Sequence, residues 1–126
     1  FALEPAQGCL LIHVSGVAAL TRNLQARPRV SLLVMQPEVP GEPVHALPRV
    51  TLEGEALIQA PDSASWHACR AAYLARFPEA EFMTQLGDFC FVAVHITQAR
   101  HVAGFGAARD VGEEEVKRVF SPAAPA

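Results

Sequence analysis

The polar triplet Thr21, Arg22 and Asn23 is the part of the sequence best suited to holding a ligand. It lies in "SGVAALTRNLQARP", which otherwise has the spacing of an amphipathic helix. Threonine and asparagine disfavour helix interiors because their side chains compete for backbone hydrogen bonds. Arginine carries a planar fork of donors that suits phosphate and carboxylate groups. The triplet therefore predicts contact with an anion such as a cofactor phosphate, while a solvent-facing turn of helix is the simpler alternative.

Arg49 begins a later strand and offers a second guanidinium for such an anion. The other polar side chains favour structural interpretations. Ser15 lacks the preceding glycine of a nucleophile elbow, so we expect it to cap the helix. The stretch "AGFGAARD" lacks the full G-x-G-x-x-G spacing and indicates a tight turn. No metal site and no catalytic acid or base is predicted, since metal-ligand spacing is missing among the five histidines, His13, His45, His67, His95 and His101.

Apolar patterning in the first half of the chain predicts the elements that position these groups. "GCLLIHV" is typical of a strand, and the segment from Ser15 to Pro28 predicts a helix of about three turns with Val17, Leu20 and Leu24 on one stripe. "RVSLLVM" predicts a second strand. Four prolines between positions 37 and 48 indicate a loop. From Arg49 the residues alternate as in a half-buried strand, with a bulge expected at Gly54.

In the second half, "PDSASWHACRAAYLARFP" is the clearest helix, capped by Asp62 or Ser63. A short helix ended by Gly87 should follow. The run from Phe89 to Ile96 is apolar on both faces, which places it at the centre of a sheet or at an interface, and we expect it to be buried in a dimer. "RHVAGFGAA" indicates a last strand, "EEEVKRVF" two turns of helix and "SPAAPA" a frayed tail. Together these elements predict an α+β fold with an antiparallel, barrel-like sheet.

Composition narrows the function classes. At 126 residues, 51% hydrophobic and a formal net charge of −3, the chain is expected to form one globular domain. No basic patch of the density needed for nucleic acid is present, and no apolar run reaches the roughly 18 residues of a membrane span. Three widely spaced cysteines favour a reducing, cytoplasmic setting. Because "FALEP" looks like the end of a strand and residue 1 is Phe, we expect N-terminal strands to be missing from this sequence.

An ordered series of motifs resembles the pyridoxamine 5′-phosphate oxidase-like FMN-binding split-barrel superfamily, particularly the branch containing haem-utilisation proteins. The series is "S-x-x-A-x-L-T-R-N-L", "PRVSLLV", "PRVTLEGEA", "YLARFPEA", "GDFCFVAVHI" and "AGFGAA". The similarity spans residues 1–110, which we take as the split-barrel domain, with a short helix and tail in residues 111–126. The resemblance implies a six-stranded antiparallel split β-barrel with flanking helices, lacking its N-terminal strands here.

The same resemblance implies a homodimer with FMN in a cleft between the subunits. Ser15 and the triplet Thr21, Arg22 and Asn23 match the segment that approaches the FMN phosphate and ribityl chain, and Arg49 matches a polar position near the flavin. The expected function is thus an FMN-binding flavoprotein, a flavin-dependent oxidoreductase of unknown substrate. In such proteins the flavin carries out the redox chemistry while the polypeptide anchors and orients it.

Two departures from the family pattern leave alternatives open. Relatives commonly have His where this chain has Leu20, so a polar contact to FMN is lost here. One charge-assisted hydrogen bond contributes roughly 1.5 to 3 kcal/mol to binding. Haem-utilisation relatives carry a C-terminal extension that ligates haem, whereas this sequence has no His after His101. The alternatives are a haem-binding or haem-degrading protein of the same fold, in which His101 or a group from the missing N-terminus ligates haem, and a non-enzymatic dimer that has lost its cofactor.

Overall fold

A computed structural model describes residues 1–120 as one antiparallel sheet flanked by helices. The proline-rich stretch is a loop with a single 3₁₀ turn, Val44–Ala46, and a second 3₁₀ turn, Pro78–Ala80, precedes the third helix. The strands are β1 Ala2–Glu4, β2 Cys9–Ser15, β3 Arg29–Met35, β4 Arg49–Ile58, β5 Phe89–Val102 and β6 Ala108–Val111, and the helices are α1 Ala19–Ala26, α2 Ala64–Arg76, α3 Glu81–Thr84 and α4 Glu113–Phe120.

The prediction of a six-stranded antiparallel fold of the α+β class is confirmed, and the sheet is open rather than closed. Its strand order is β1-β2-β5-β4-β3, with β6 paired to β5. The 14-residue β5 organises the sheet: β4 pairs along one edge, while the other edge pairs first with β2 and then with β6. Two different strands thus pair with successive parts of one edge of β5.

Gly54 marks the irregularity that the sequence predicted on β4. The register between β4 and β5 shifts after Glu53, so that Thr97 of β5 is the extra residue. A Cβ at position 54 would collide with the backbone carbonyl of His95. Only glycine allows the two strands to approach this closely, and the bulge increases the local twist of the sheet.

The two faces of the sheet are buried against different elements. The inner face packs around Leu10, Val92 and Val94 and is covered by Val116 and Phe120 of α4. The outer face of β1, β2 and β5 is covered by the predicted apolar stripe of α2, which contains Trp66, Cys69, Tyr73 and Phe77. Residues 91–94 of β5 are therefore apolar on both faces because each face has its own core within the chain. The central position expected for this strand is confirmed, and its burial in a dimer stays a prediction.

Local differences from the predicted elements have simple causes. Helix α1 has eight residues, about two turns, and starts at Ala19 with Ala18 as N-cap, because Ser15 is still part of β2. The predicted cap by Ser15 is therefore wrong. The predicted last strand divides: residues 100–102 continue β5, and β6 begins at Ala108 after the glycine turn. Helix α4 is confirmed, while the predicted tail, residues 121–126, lies outside the described residues. Within residues 1–120, no helix is both long and apolar enough to span a membrane.

Candidate functional site

The predicted cofactor segment, Ser15 to Asn23, joins the end of β2 to helix α1. Thr21 is buried, with 1% of its surface exposed, and its hydroxyl donates to the backbone carbonyl of Ser15 at 2.5 Å. The Ser15 hydroxyl accepts weakly from the amide of Val17 at 3.4 Å. In this structure Thr21 therefore fixes α1 against the end of β2. Its predicted role as a donor to a cofactor stays a prediction, as does that of Ser15.

Arg22 and Asn23 lie on the exposed side of α1. The same surface includes Val17 and Leu20, which are 78% and 51% exposed although the sequence pattern placed them on one apolar stripe with Leu24. Leu24 and Thr21 face the core instead. The segment thus presents one cation, one amide and two apolar side chains to its surroundings, and the polar pair has the accessibility that ligand contact requires.

Arg49 lies at the far end of β4 from this segment. Helix α1 leads into Arg29, which pairs with Glu55, whereas Arg49 pairs with Met35 and Val102. Six residues of strand separate Arg49 from Glu55, about 20 Å at about 3.3 Å per residue. The Arg49 guanidinium donates to the carbonyl of Leu47 at 3.3 Å. Within one chain, a single compact anion therefore does not reach both Arg22 and Arg49.

A groove on the inner face of the sheet, near the start of β4, is the feature best suited to a large apolar ligand. Its volume is about 360 Å³, and its walls come from β3, β4, β5, α4 and the N-terminal residues. The groove is lined by Phe1, Leu3, Leu10, Val34, Val50, Leu52, Ala99, Val111, Val116, Val119 and Phe120, with His101, Arg109 and Glu115 as its polar residues.

His101 connects this groove to Arg49. It pairs with Val50 on one side and with Arg109 on the other, so its side chain shares the inner face with them. His101 also lines a shallower adjoining depression together with Met35 and Arg49. Among residues 1–120, no hydrogen-bond partner is found for its imidazole ring. His101 thus lies between the apolar groove and a depression that a thioether and a guanidinium also line.

The other charged side chains at the groove, Arg109 and Glu115, form an ion pair with each other. Arg109 donates two hydrogen bonds to the carboxylate of Glu115 on α4, at 2.8 and 3.0 Å. The hydrogen bond from Arg109 lowers the pKa of Glu115, and nearby positive charges lower it further. The same hydrogen bond raises the pKa of Arg109. Because the pair binds β6 to α4, its charges are already satisfied, and Arg49 is the arginine at this end with donors left over for a ligand.

Sequence reasoning named His101 and Arg49 but did not place them together. Their proximity depends on the register of β4 against β5, which the bulge opposite Gly54 sets. The groove itself depends on α4 packing onto the sheet, which charge patterning alone did not indicate. Within residues 1–120, the structure contains no cluster of three His, Cys, Asp or Glu side chains that could hold a metal ion.

Known proteins resemble this chain over most of its length, although no protein-family model matches it. The chain is 38% identical over 104 residues to the chloroplastic non-canonical haem oxygenase HOZ of Arabidopsis thaliana, covering 82% of this chain and 30% of that protein. It is 30% identical over 106 residues to the haem oxygenase HutZ of Vibrio cholerae, covering 83% of this chain and 60% of that protein. The chain therefore spans less than two thirds of each of these relatives.

Solved structures of proteins described by their relation to haem also resemble this chain. A haem-binding protein from Mycobacterium smegmatis superimposes with a TM-score of 0.74 at 30% identity, covering 88% of this chain and 45% of that one. The structure of HutZ from Vibrio cholerae, described as a haem storage protein, has a TM-score of 0.65 at 28% identity, covering 70% of this chain and 63% of that one. The names of these proteins refer to haem, and none of them refers to FMN.

Proposed function

We propose that this chain binds haem. It belongs to the pyridoxamine 5′-phosphate oxidase-like split-barrel superfamily, in the branch that contains haem-utilisation proteins. The relatives are named as haem oxygenases, a haem-binding protein and a haem storage protein. All of these names refer to haem, and they differ in what is done with it. We therefore propose haem binding and no particular reaction. This replaces FMN as the favoured cofactor.

The observation that carries the proposal is the apolar groove with His101 at its end. A porphyrin needs an apolar surface for its ring, a nitrogen or sulfur ligand for its iron and a cation for its carboxylates. The groove supplies aliphatic and aromatic walls, and His101 at its end also lines the adjoining depression, which Met35 and Arg49 line as well. The residues present fit the group, because each of its three chemical needs has a side chain suited to it.

In this proposal His101 would ligate the iron, and Arg49, which lines the adjoining depression, would bind a propionate. The pairing of His101 with Val50 and Arg109 keeps its half-buried imidazole on the inner face of the sheet, where the groove lies. Met35 offers a thioether on the neighbouring edge strand. Bound haem would supply iron-centred oxygen chemistry, and the walls of the groove would restrict access of water to it.

FMN is the competing ligand, favoured by the exposed Arg22 and Asn23 on α1. In that alternative the flavin phosphate would lie at this segment. Its weakness is Leu20, since a polar side chain at that position would add a charge-assisted hydrogen bond of roughly 1.5 to 3 kcal/mol. The two ligands thus use opposite ends of β4, so variants at each end separate them.

We also propose that the chain acts as a homodimer with the ligand close to the subunit interface. The supporting observation is an exposed apolar pair on the edge strand β3, Leu33 at 60% and Met35 at 45% exposure. A Leu33→Glu variant should lower the mass measured by sedimentation, while Ala68→Glu, at an exposed position of helix α2 away from β3, should leave it unchanged. A wild-type chain that sediments as a monomer contradicts the proposal.

Visible spectroscopy tests the ligand directly. The purified protein is mixed with haem or with FMN, desalted, and its absorption spectrum is recorded. Retention of a Soret band with a haem-to-chain ratio that saturates is the expected result. Retained flavin absorbance together with unsaturable haem uptake would overturn haem binding in favour of FMN, and a protein that retains neither would overturn both.

A further inference from the structure

A second cavity lies on the outer side of the sheet, between α2, α3 and the start of β5, away from the groove at His101. Its volume is about 410 Å³. Trp66, Leu86 and Phe89 supply apolar walls, and His67, Arg70 and the buried Gln59 supply polar ones. The haem proposal does not use this cavity. From its contents, we propose that it binds a small aromatic carboxylate.

Arg70 is the cation that would recognise the carboxylate. Its Nε donates to the hydroxyl of Thr84 at 3.0 Å, and that hydroxyl donates to the carbonyl of Glu81 at 2.7 Å. Thr84 is buried, so it holds the guanidinium stem in a fixed direction. The nearest carboxylate, of Glu81, lies 3.9 Å away without a hydrogen bond, which leaves terminal donors of Arg70 for a ligand. A planar fork of donors matches a carboxylate in two-point contact.

His67 and Asp62 contribute further polar groups to the cavity wall. The Nε2 of His67 lies 2.7 Å from a carboxylate oxygen of Asp62. Asp62 has a backbone φ of 62°, the one positive φ among the non-glycine residues in the described part of the chain. A left-handed conformation costs energy in residues other than glycine, and such positions cluster at ligand sites. Here the conformation places the carboxylate against His67, which leaves Nδ1 as the second polar atom of the ring.

Trp66 defines the apolar part of the ligand. Its indole packs edge-on against His67 at 4.9 Å between ring centroids and against Phe91 at 5.6 Å. Phe89 contributes a second aromatic surface to the cavity. Aromatic walls favour an aromatic ring, since offset and edge-on contacts add to simple area burial. An aromatic ring against Trp66 and a carboxylate at Arg70 thus describe one small molecule.

The test uses Trp66 itself, because it is the single tryptophan of the chain. Its fluorescence is followed while benzoate is added, with acetate and benzyl alcohol as ligands that lack the ring or the charge. Benzoate should give a saturable change, and the other two should bind at least about ten-fold more weakly. This comparison uses the wild-type protein and therefore holds whether or not a variant folds. Equal responses to benzoate and benzyl alcohol, or no saturable response to benzoate, would overturn the proposal.

Variants then identify the residue responsible. Arg70→Gln should weaken benzoate binding by about ten-fold or more, whereas Arg27→Gln, an exposed arginine after α1, should leave it unchanged. Circular dichroism establishes that each variant is folded. Haem uptake by Arg70→Gln should equal that of the wild type, so this result is independent of the haem proposal. Unchanged benzoate affinity in folded Arg70→Gln would remove Arg70 from the site and contradict the assignment.

Discussion

The hydroxyl of Thr21 donates a hydrogen bond to the carbonyl of Ser15, and this contact holds helix α1 on the end of strand β2. Thr21 is buried, so its replacement by valine would keep the shape of the side chain but leave the Ser15 carbonyl without this donor. Because the amide of Ala18 also donates to this carbonyl, we expect Thr21→Val to lower the free energy of unfolding by about 0.5 to 1.5 kcal/mol, measured by urea denaturation.

Thr97→Val provides the matched control. Thr97 also donates to a backbone carbonyl, that of Glu53, but it is exposed, and water can replace its hydrogen bond. Its loss should change stability by no more than about 0.5 kcal/mol. Equal stabilities for Thr21→Val and the wild type would show that the hydroxyl does not fix α1 against β2.

Much of the fold could be predicted because its signals are local. The stripe of α2 from Trp66 to Phe77 and the alternation of β4 each follow from the spacing of a few neighbouring residues. Gly54 could be assigned to a bulge because a glycine inside an alternating strand commonly marks a bulge or a close approach of two backbones.

The site could be predicted only in part, because its residues meet through long-range register. Val50 and Arg109 lie on either side of His101, yet they come from strands that are far apart in sequence. The error at α1 has a related cause. Val17 and Leu20 fit a helical stripe, but the chain leaves β2 only after Ser15, so the helix begins later and faces the core with Thr21 and Leu24.

The close approach of β4 and β5 at Gly54 yields a second prediction. A methyl group at this position would meet the backbone carbonyl of His95, which belongs to the central strand and has little freedom to move. Gly54→Ala should therefore destabilise the fold by about 2 kcal/mol or more, seen as a lower midpoint of chemical denaturation. Gly87→Ala is the control, because a Cβ there meets open space. Equal midpoints for the two variants would show that the bulge tolerates a side chain.

Thiol reactivity gives a third prediction. Cys9 and Cys69 are fully buried, and burial raises the pKa of the Cys9 thiol from 9.0 to about 12, with a smaller effect from neighbouring Cys69 and Glu4. Cys90 is only partly buried. Because thiolates are the reactive form, a maleimide at neutral pH should label Cys90 first, as mass spectrometry of digested protein can show. Labelling of Cys9 at the same rate as Cys90 would contradict the buried core between β2 and α2.

The raised pKa of Cys9 also predicts how stability depends on alkaline pH. Below pH 9 the thiol is protonated in both the folded and the unfolded chain, so its contribution is constant. Above pH 9 the unfolded chain loses the proton first, and stability falls progressively until about pH 12, where the folded form ionises. Cys9→Ala should show a smaller decline over this range than the wild type, measured by urea denaturation at several pH values. Parallel declines would contradict the shift.

Haem titration of His101→Ala examines whether haem binds in the groove with His101 as the iron ligand. The matched control is His45→Ala, an exposed histidine of the proline-rich loop. We expect His101→Ala to shift the Soret maximum and to weaken haem binding by about ten-fold or more, while His45→Ala keeps the spectrum and affinity of the wild type. A His101→Ala protein with unchanged Soret maximum and unchanged affinity would contradict His101 as the iron ligand and the groove as the haem site.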